Sequence, residues 1–269
     1  MEYVEFLRAR RTLLVFAVLF TIAAIITIVS AHFGSVSTGG DQFTISNTPQ
    51  AGRSIGTVFA ATHIPLGLLL GLASYSAIPF ATVLSSSLNK ENDGANFVFT
   101  KPISRTNLAV RYMAIDGIAI VALFVLACAL VSATVAGIGL IGTVYVDEGA
   151  PWIVFLGLGS AVMWYGIMQA VTATYRGKGG IIVAWSWAVF GILTFLPGLR
   201  LLGPFVLGIV HVVNIFNPIA YLASLVSTGG GFRAGTVLDL PIETRSAVSF
   251  AIGIACCVIA SRIWNRVEV

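Results

Sequence analysis

Polar side chains inside long apolar stretches are the residues of this sequence whose types could do chemistry. A polar group in lipid is costly, so each one marks a functional site by default. A proton or cation relay would need several carboxylates at membrane depth, and the sequence offers one, Asp116, near the edge of its stretch. The polar residues of the apolar stretches are taken together with Asn217 and Pro218, which lie in an interrupted apolar segment. The candidate gate or path then consists of His63, Asp116, Gln169, His211, Asn214, Asn217 and Pro218.

Each of these residues also has a structural interpretation. His63 lies just before a proline and could bond backbone groups that the proline frees. Asp116 could pair with Arg111 or Arg105 near the predicted inner surface. Gln169 could bridge two helices. The sequence leaves the functional and the structural interpretations open.

Catalytic motifs are not found in the sequence. The stretch Gly177-Lys178-Gly179 has no Ser or Thr after the lysine and no upstream glycine at P-loop spacing, so it cannot cradle phosphates. There is no HExxH motif, and the three cysteines lie in apolar runs without CxxC spacing. We therefore expect no catalytic residue, no metal site and no cofactor in this chain.

Composition assigns the chain to the membrane. Of its 269 residues, 57% are hydrophobic and 10% are charged. Soluble domains carry roughly 25% charged residues, so a water-soluble globule is excluded. No basic stripe with interleaved aromatic residues is present, which argues against a nucleic-acid partner. Membrane lipid is the expected surrounding.

Apolar runs long enough to span predict an all-α polytopic protein with six transmembrane helices, because about 20 helical residues cross a bilayer. The eleven residues before the first run have an apolar arc opposite a charged one, which predicts an amphipathic interfacial helix. No soluble domain or repeat is visible, so residues 1–269 form one membrane domain. The six predicted spans are approximately 12–33, 55–84, 106–140, 151–175, 180–197 and 246–264.

The run at 201–228 is long but interrupted. Pro218 lacks a backbone donor and pushes the preceding residue out of helical geometry, so the run divides into halves too short to span. A re-entrant hairpin before the last span fits this interruption.

The basic residues set the expected orientation. With both termini inside, eleven of the 15 Lys and Arg residues fall on the inner side and four on the outer side. This asymmetry agrees with the positive-inside rule and predicts a plasma (inner) membrane protein with cytoplasmic N and C termini.

The inner loop between the second and third spans holds two aromatic residues, Phe97 and Phe99, among charged neighbours. Apolar side chains in a cytoplasmic loop need a partner surface or the membrane interface. Pro102 ends any preceding helix, and Ser104 can cap the next one, so the loop forms a short separate element.

The loop pattern resembles a known family. Glu91-x-x-Gly94, followed by Thr100-Lys101-Pro102-Ile103-Ser104-Arg105 at the start of a long apolar helix, resembles the permease subunits of ATP-binding cassette (ABC) transporters of the type-2 exporter family. Asn217-Pro218-Ile219-Ala220-Tyr221 is similar to that family's proline-containing segment ahead of the last span.

The resemblance implies a six-helix half-transporter that pairs with a second permease copy and with two copies of a cytoplasmic ABC ATPase, which binds ATP-Mg. It also implies that the loop is a coupling helix seated in a groove of the ATPase. The residues assigned to coupling are Glu91, Gly94, Phe97, Phe99, Thr100, Lys101, Pro102, Ser104 and Arg105.

The expected function is export of a hydrophobic or amphipathic substrate, driven by ATP hydrolysis in the partner. One alternative is a secondary transporter or channel, which should show inverted repeats and charged midplane sites. Another is a non-transporting subunit that relays ATPase motion to a periplasmic partner. Both alternatives stay open at the level of sequence.

Overall fold

The computed structural model describes ten stretches of the chain: residues 2–33, 35–39, 42–46, 53–54, 64–87, 105–146, 149–174, 179–199, 203–221 and 240–266. Helices dominate these stretches. The longer ones are α1 (Glu2–Phe33), α2 (Leu66–Ser87), α3 (Arg105–Gly137), α4 (Ala150–Thr174), α5 (Gly179–Phe195), α6 (Pro204–Asn214) and α7 (Ile242–Arg266). A short helical turn at 218–221 follows α6.

Four of the described helices are long and apolar enough to cross a membrane, which fits a membrane protein. Their apolar stretches are Phe6–Ala31, Ala109–Gly137, Ala150–Thr172 and Ile242–Ile263. The apolar parts of α2 and α5 are shorter, at Leu69–Ser85 and Gly180–Phe195. The expected helical architecture is thus confirmed in a coarser form, as four helices that could cross a membrane. Within the second predicted span, 55–84, the structure describes α2 from Leu66 onwards, and residues 55–63 lie outside the described residues.

The first helix differs from the expectation. We predicted a flat interfacial helix that turns into the first span, but α1 runs without interruption from Glu2 to Phe33. The separate interfacial helix is therefore wrong as an element. The physical reason is that no glycine or proline interrupts these residues, so nothing breaks the backbone ladder where the charged residues give way to apolar ones.

Short strands, which the all-α expectation missed, lie on the connections between helices. A three-stranded antiparallel sheet follows α1 and is formed by β1 (Ser35–Gly39), β2 (Gln42–Ser46) and β3 (Arg53–Ser54), with β1 in the middle. Alternation in β1 and β2 places Val36 beside Ile45. Before α2, β4 (Ile64–Pro65) pairs in parallel with β5 (Val144–Tyr145), which follows α3. The start of α2 and the end of α3 therefore lie together.

Glycine and proline set two of the helix boundaries. Gly139 has a φ of 82°, and the amide of Leu140 donates to the carbonyl of Val135, an arrangement that closes the end of α3. At the start of α6, Pro204 occupies the first turn, where its missing N–H has no intrahelical partner to lose.

Helix directions follow from paired contacts. Arg8 meets Asp116 near the starts of α1 and α3, and Ile28 meets Gly137 near their ends, so these helices run parallel. Tyr165 meets the same Asp116 from α4. The starts of α1 and α3 therefore lie beside the last third of α4, at what we call the Asp116 end of the bundle.

The α4 helix lies at the centre of the bundle. In its most apolar stretch 61% of the residues are buried, against none in the corresponding stretch of α1. It packs most extensively against α7, then against α2. The hydroxyl of Ser246 donates to the carbonyl of Trp152, and Gly253 lies against Gly166, so α4 and α7 run parallel. The C-terminal end of α7 is thus at the Asp116 end, together with the start of α1.

The α5 helix runs away from the Asp116 end. Residues 175–178 join it to α4, a connection so short that α5 must begin where α4 ends. The rings of Trp164 in α4 and Trp187 in α5 then lie 4.8 Å apart at similar distances from this connection. The end of α5 and the start of α7 are therefore both at the opposite end of the bundle.

We predict that Gly253→Ala destabilises the protein. A Cβ there would lie 2.8 Å from the backbone nitrogen of Met163 and 2.9 Å from its Cα, so α4 and α7 would have to separate. Overpacking of this kind costs about 1–3 kcal/mol. Thermal unfolding in detergent, monitored by size-exclusion chromatography, should show a lower midpoint temperature for Gly253→Ala than for the wild type.

Gly191→Ala in α5 is the matched control, because no atom lies within 4 Å of the added Cβ. This variant should be as stable as the wild type or more stable, since alanine favours helix over glycine. Equal midpoints for both variants would contradict the close packing of α4 on α7.

Candidate functional site

Asp116 forms the centre of a buried charged site. Its side chain is 0% exposed. One carboxylate oxygen accepts a hydrogen bond from Arg8 Nη2 at 2.6 Å, and the other accepts one from the Tyr165 hydroxyl at 2.7 Å. These residues come from α3, α1 and α4. We call the three residues the Asp116 triad.

The partner of Asp116 is not the one that the sequence suggested. We expected Arg111 or Arg105, but Arg8 forms the ion pair, 108 positions earlier in the chain. Arg111 instead donates through Nε to Asn107, one turn before it on the exposed face of α3. The reason is that Arg111 is on a different face of the helix from Asp116, whereas the parallel packing of α1 brings Arg8 directly to it.

The triad is suited to joining helices and not to relaying protons. Both oxygens of the carboxylate are engaged, and the charge is balanced by a guanidinium that is itself only 19% exposed. A charge-assisted pair of this kind is strong, and removing one member leaves a buried charge without its counterion. The triad therefore fixes α1, α3 and α4 to one another at this depth.

A second polar cluster surrounds Asn217, which is 0% exposed. Its side-chain amide contacts the carbonyl of Phe190 and the hydroxyl of Thr194 in α5, each at 2.9 Å, and also the side-chain oxygen of Asn214. Asn214 donates in turn to the carbonyl of Leu193 at 3.0 Å. We call this the Asn217 cluster; it fastens the end of α6 to the last turns of α5.

The interruption predicted at Pro218 is present. The α6 helix ends at Asn214, and the chain resumes as a helical turn at 218–221. The side-chain oxygen of Asn217 accepts from the amide of Ile219, and the Tyr221 hydroxyl donates to the carbonyl of Ile215 at 2.9 Å. Asn217 therefore satisfies a backbone amide at the helix break, and both asparagines bind carbonyls of the last turns of α5, which is a structural role.

Tyr221 also anchors this break in the bundle. It is 0% exposed and belongs to a buried apolar cluster with Leu156 and Met163 of α4. Ile242 and Val248 of α7 pack against this cluster. His211, a further candidate gate residue, is half-buried on α6 and belongs to neither polar group among the described hydrogen bonds.

Gln169 is buried without a hydrogen-bond partner. It is 0% exposed, and neither its side-chain nitrogen nor its side-chain oxygen has a partner in the part of the chain that the structure describes. Among the described residues, Gln169 therefore forms no hydrogen bond that bridges two helices. A buried amide in this state costs about 1–3 kcal/mol of desolvation, so its presence needs a reason beyond packing.

Several expected site residues cannot be placed. His63 lies outside the described residues, as do eight of the coupling residues, whereas Arg105 is the first residue of α3. The eight are Glu91, Gly94, Phe97, Phe99, Thr100, Lys101, Pro102 and Ser104.

The structure thus brings the candidate gate residues into separate places. Asp116 belongs to the triad, and Asn214, Asn217 and Pro218 belong to the helix break, with no hydrogen bond between the two groups among the described residues. In the helices that the structure describes, no group of three His, Cys, Asp or Glu side chains could hold a metal. Sequence reasoning missed Tyr165 and Thr194, which look like ordinary residues of apolar runs.

Comparison with known proteins adds no relative: no family model, no curated protein and no solved structure matches the chain.

We predict that Asp116→Asn strongly destabilises the bundle. The variant leaves the Arg8 charge without this carboxylate, and breaking a buried pair in this way costs about 3–5 kcal/mol. Tyr165→Phe, which removes one neutral donor, should cost about 1 kcal/mol. Thermal unfolding in detergent measures both.

The double variant Arg8→Met with Asp116→Leu is the control, because it removes both charges together. It should be more stable than Asp116→Asn, as expected when an ion pair is replaced by apolar side chains. If Asp116→Asn unfolds at the wild-type midpoint, the triad does not hold the three helices.

Proposed function

We propose that this chain is the permease subunit of an ABC transporter of the type-2 exporter kind. The observation that carries the proposal is the loop pattern Glu91-x-x-Gly94 and Thr100 to Arg105, which leads directly into α3. Such a loop, docked on an ATPase, would deliver force to the start of α3. In the described structure that helix is fixed to two others at Asp116.

The arrangement of helices supports a six-span permease. Besides the four long helices, α2 and α5 each run between the same two ends of the bundle, and the directions of α1 to α5 alternate. The start of α1 and the end of α7 lie together at the Asp116 end. With the eleven-to-four asymmetry of basic residues, this end would face the cytoplasm.

A re-entrant segment before the last span is consistent with the same directions. The end of α5 and the start of α7 both lie at the end of the bundle away from Asp116. The chain between them therefore begins and finishes at that same end. The Asn217 cluster and Tyr221 bury the broken backbone of this segment among α4, α5 and α7. Irregular backbone is tolerated at membrane depth only when protein covers it in this way.

The polar groups of the bundle favour a hydrophobic or amphipathic substrate. Dehydrating an inorganic ion requires a set of free polar ligands. Asp116, Asn214 and Asn217 are engaged with neighbouring protein groups in the described structure. For the same reason a secondary transporter with a charged midplane site is less well supported.

The partners under this proposal are two copies of a cytoplasmic ATPase, which would bind ATP-Mg, and a second permease copy in a membrane of the plasma (inner) type. The chain itself would hydrolyse no ATP. A relay subunit acting on a periplasmic partner would use the same loop, and vesicle transport with the purified complex distinguishes it from a transporter.

We predict that residue 38 faces outside and residue 93 faces the cytoplasm. Thr38→Cys and Asp93→Cys are compared in a background in which Cys128, Cys256 and Cys257 are replaced by alanine. An impermeant maleimide added to intact cells should label only the position-38 variant, and both variants after lysis. Labelling of position 93 from outside would overturn the orientation.

We further predict that Phe97 and Phe99 anchor the ATPase. Burying an aromatic side chain stabilises an interface by about 1.5–3 kcal/mol, so replacing both with alanine should reduce ATPase pull-down at least tenfold and abolish substrate-stimulated hydrolysis. Membrane insertion should be unchanged, because neither residue lies in a predicted span.

Ser86→Ala, near the end of α2, is the control for this measurement. If the double variant binds the ATPase and stimulates hydrolysis as well as this control does, the loop has no coupling role.

A further inference from the structure

Gln169 lies one helical turn from Tyr165 on the same side of α4. Residues four positions apart on a helix are neighbours on one face, separated by about 6 Å along the axis. The face that α4 turns towards α3 thus carries two hydrogen-bond donors. The Tyr165 hydroxyl is bonded to Asp116, and the Gln169 amide, one turn nearer the Asp116 end, has no partner among the described residues.

The α3 and α4 helices pack antiparallel in a regular register. Asp116 meets Tyr165, and eight positions further along α3, Phe124 lies against Gly157, eight positions earlier in α4. A shift of α4 by one turn relative to α3 keeps the same faces opposed. In the shifted register, Gln169 lies opposite Asp116.

The contacts between α3 and α4 would allow such a shift, in which the two-residue pairing of β4 with β5 would open. The surface that α3 presents to α2 and α4 is apolar, with Ile120, Leu123 and Phe124 in one core cluster with Ala161 and Trp164. Apolar interfaces of this kind can move by whole turns, because the side chains interlock again after each one.

Two tightly joined groups of helices would move as units. Arg8 and Asp116 join α1 to α3. The close backbone approach of Gly253 to Gly166 joins α7 to α4, and Gly157 of α4 lies against Ser74 of α2. Between the two groups, the hydrogen bond from Tyr165 to Asp116 is a polar contact that favours the described register. A shift would therefore exchange one donor to Asp116 for another and keep the ion pair.

We propose that Gln169 is the second hydrogen-bond donor for Asp116, used when α2, α4 and α7 move together by one turn, about 5–6 Å, away from the Asp116 end relative to α1 and α3. In the described state the Tyr165 hydroxyl binds the carboxylate. In the shifted state the Gln169 side-chain NH₂ binds it, and the buried amide gains its partner. The proposal does not depend on the proposed function, because it concerns two registers of this chain alone.

Two pairs of cysteines report the registers. Ala161→Cys is combined with Ile120→Cys, which lies opposite it in the described register, or with Phe124→Cys, which lies opposite it after the shift. All three native cysteines are replaced by alanine. Membranes carrying the chain are treated with a short bis-methanethiosulfonate cross-linker, and the products are separated by gel electrophoresis.

The 120–161 product should dominate, with a minor 124–161 product. Tyr165→Phe should raise the ratio of the 124–161 product to the 120–161 product about fivefold, the equivalent of one hydrogen bond of about 1 kcal/mol. Gln169→Leu should lower the same ratio about fivefold, because the shifted register loses one hydrogen bond of the same kind. A merely structural role of Gln169 would change stability and leave this ratio unchanged.

An unchanged ratio in either Tyr165→Phe or Gln169→Leu would overturn the proposal. If Gln169→Leu also loses the 120–161 product, the fold has been disturbed. Gln169→Met then replaces it, because methionine keeps the length of the side chain and removes both amide atoms.

Discussion

The buried carboxylate of Asp116 is the constraint around which the packing of this protein is organised. A charge on an apolar helix is unfavourable in a bilayer unless a counterion and hydrogen-bond donors reach it. Arg8 and Tyr165 supply these from two other helices, so three helices must meet at one depth. That meeting, together with the contacts of Ile28 with Gly137 and of Phe124 with Gly157, places α1 parallel to α3 and α4 antiparallel to both. The direction of each remaining helix follows from its packing against these three.

Packing around α4 follows a different rule from packing around α3. Small residues let the backbones of α4 and α7 approach closely, with Gly166, Gly253 and Ser249 at their contact. Van der Waals contact and short side-chain hydrogen bonds hold such an interface in a membrane, where lipid competes equally for apolar side chains. The α3 interface instead consists of large apolar side chains and one polar joint. The bundle therefore combines a rigid pair with a contact that has more than one favourable register.

Much of the architecture could be predicted from the sequence, because long apolar runs and helix-breaking residues are local signals. The bounds of α3, α4 and α7 and the break before Pro218 follow from such signals. The partner of Asp116 could not be predicted, because it depends on which helices pack together. The unpartnered state of Gln169 has the same origin. The strands after α1 were missed because short alternating polar stretches resemble loops.

The ion pair between Arg8 and Asp116 also has a consequence for biosynthesis. Arg8 leaves the ribosome 108 residues before Asp116, which at synthesis rates of roughly 5–20 residues per second is a delay of about 5–20 s. During that time the first helix carries a cation whose counterion has not yet been made. Its guanidinium must stay near the lipid headgroups, and the helix can settle to its final depth only after the third helix enters the bilayer. The order of synthesis is therefore also an order of assembly, in which Tyr165 completes the site last, 49 residues after Asp116.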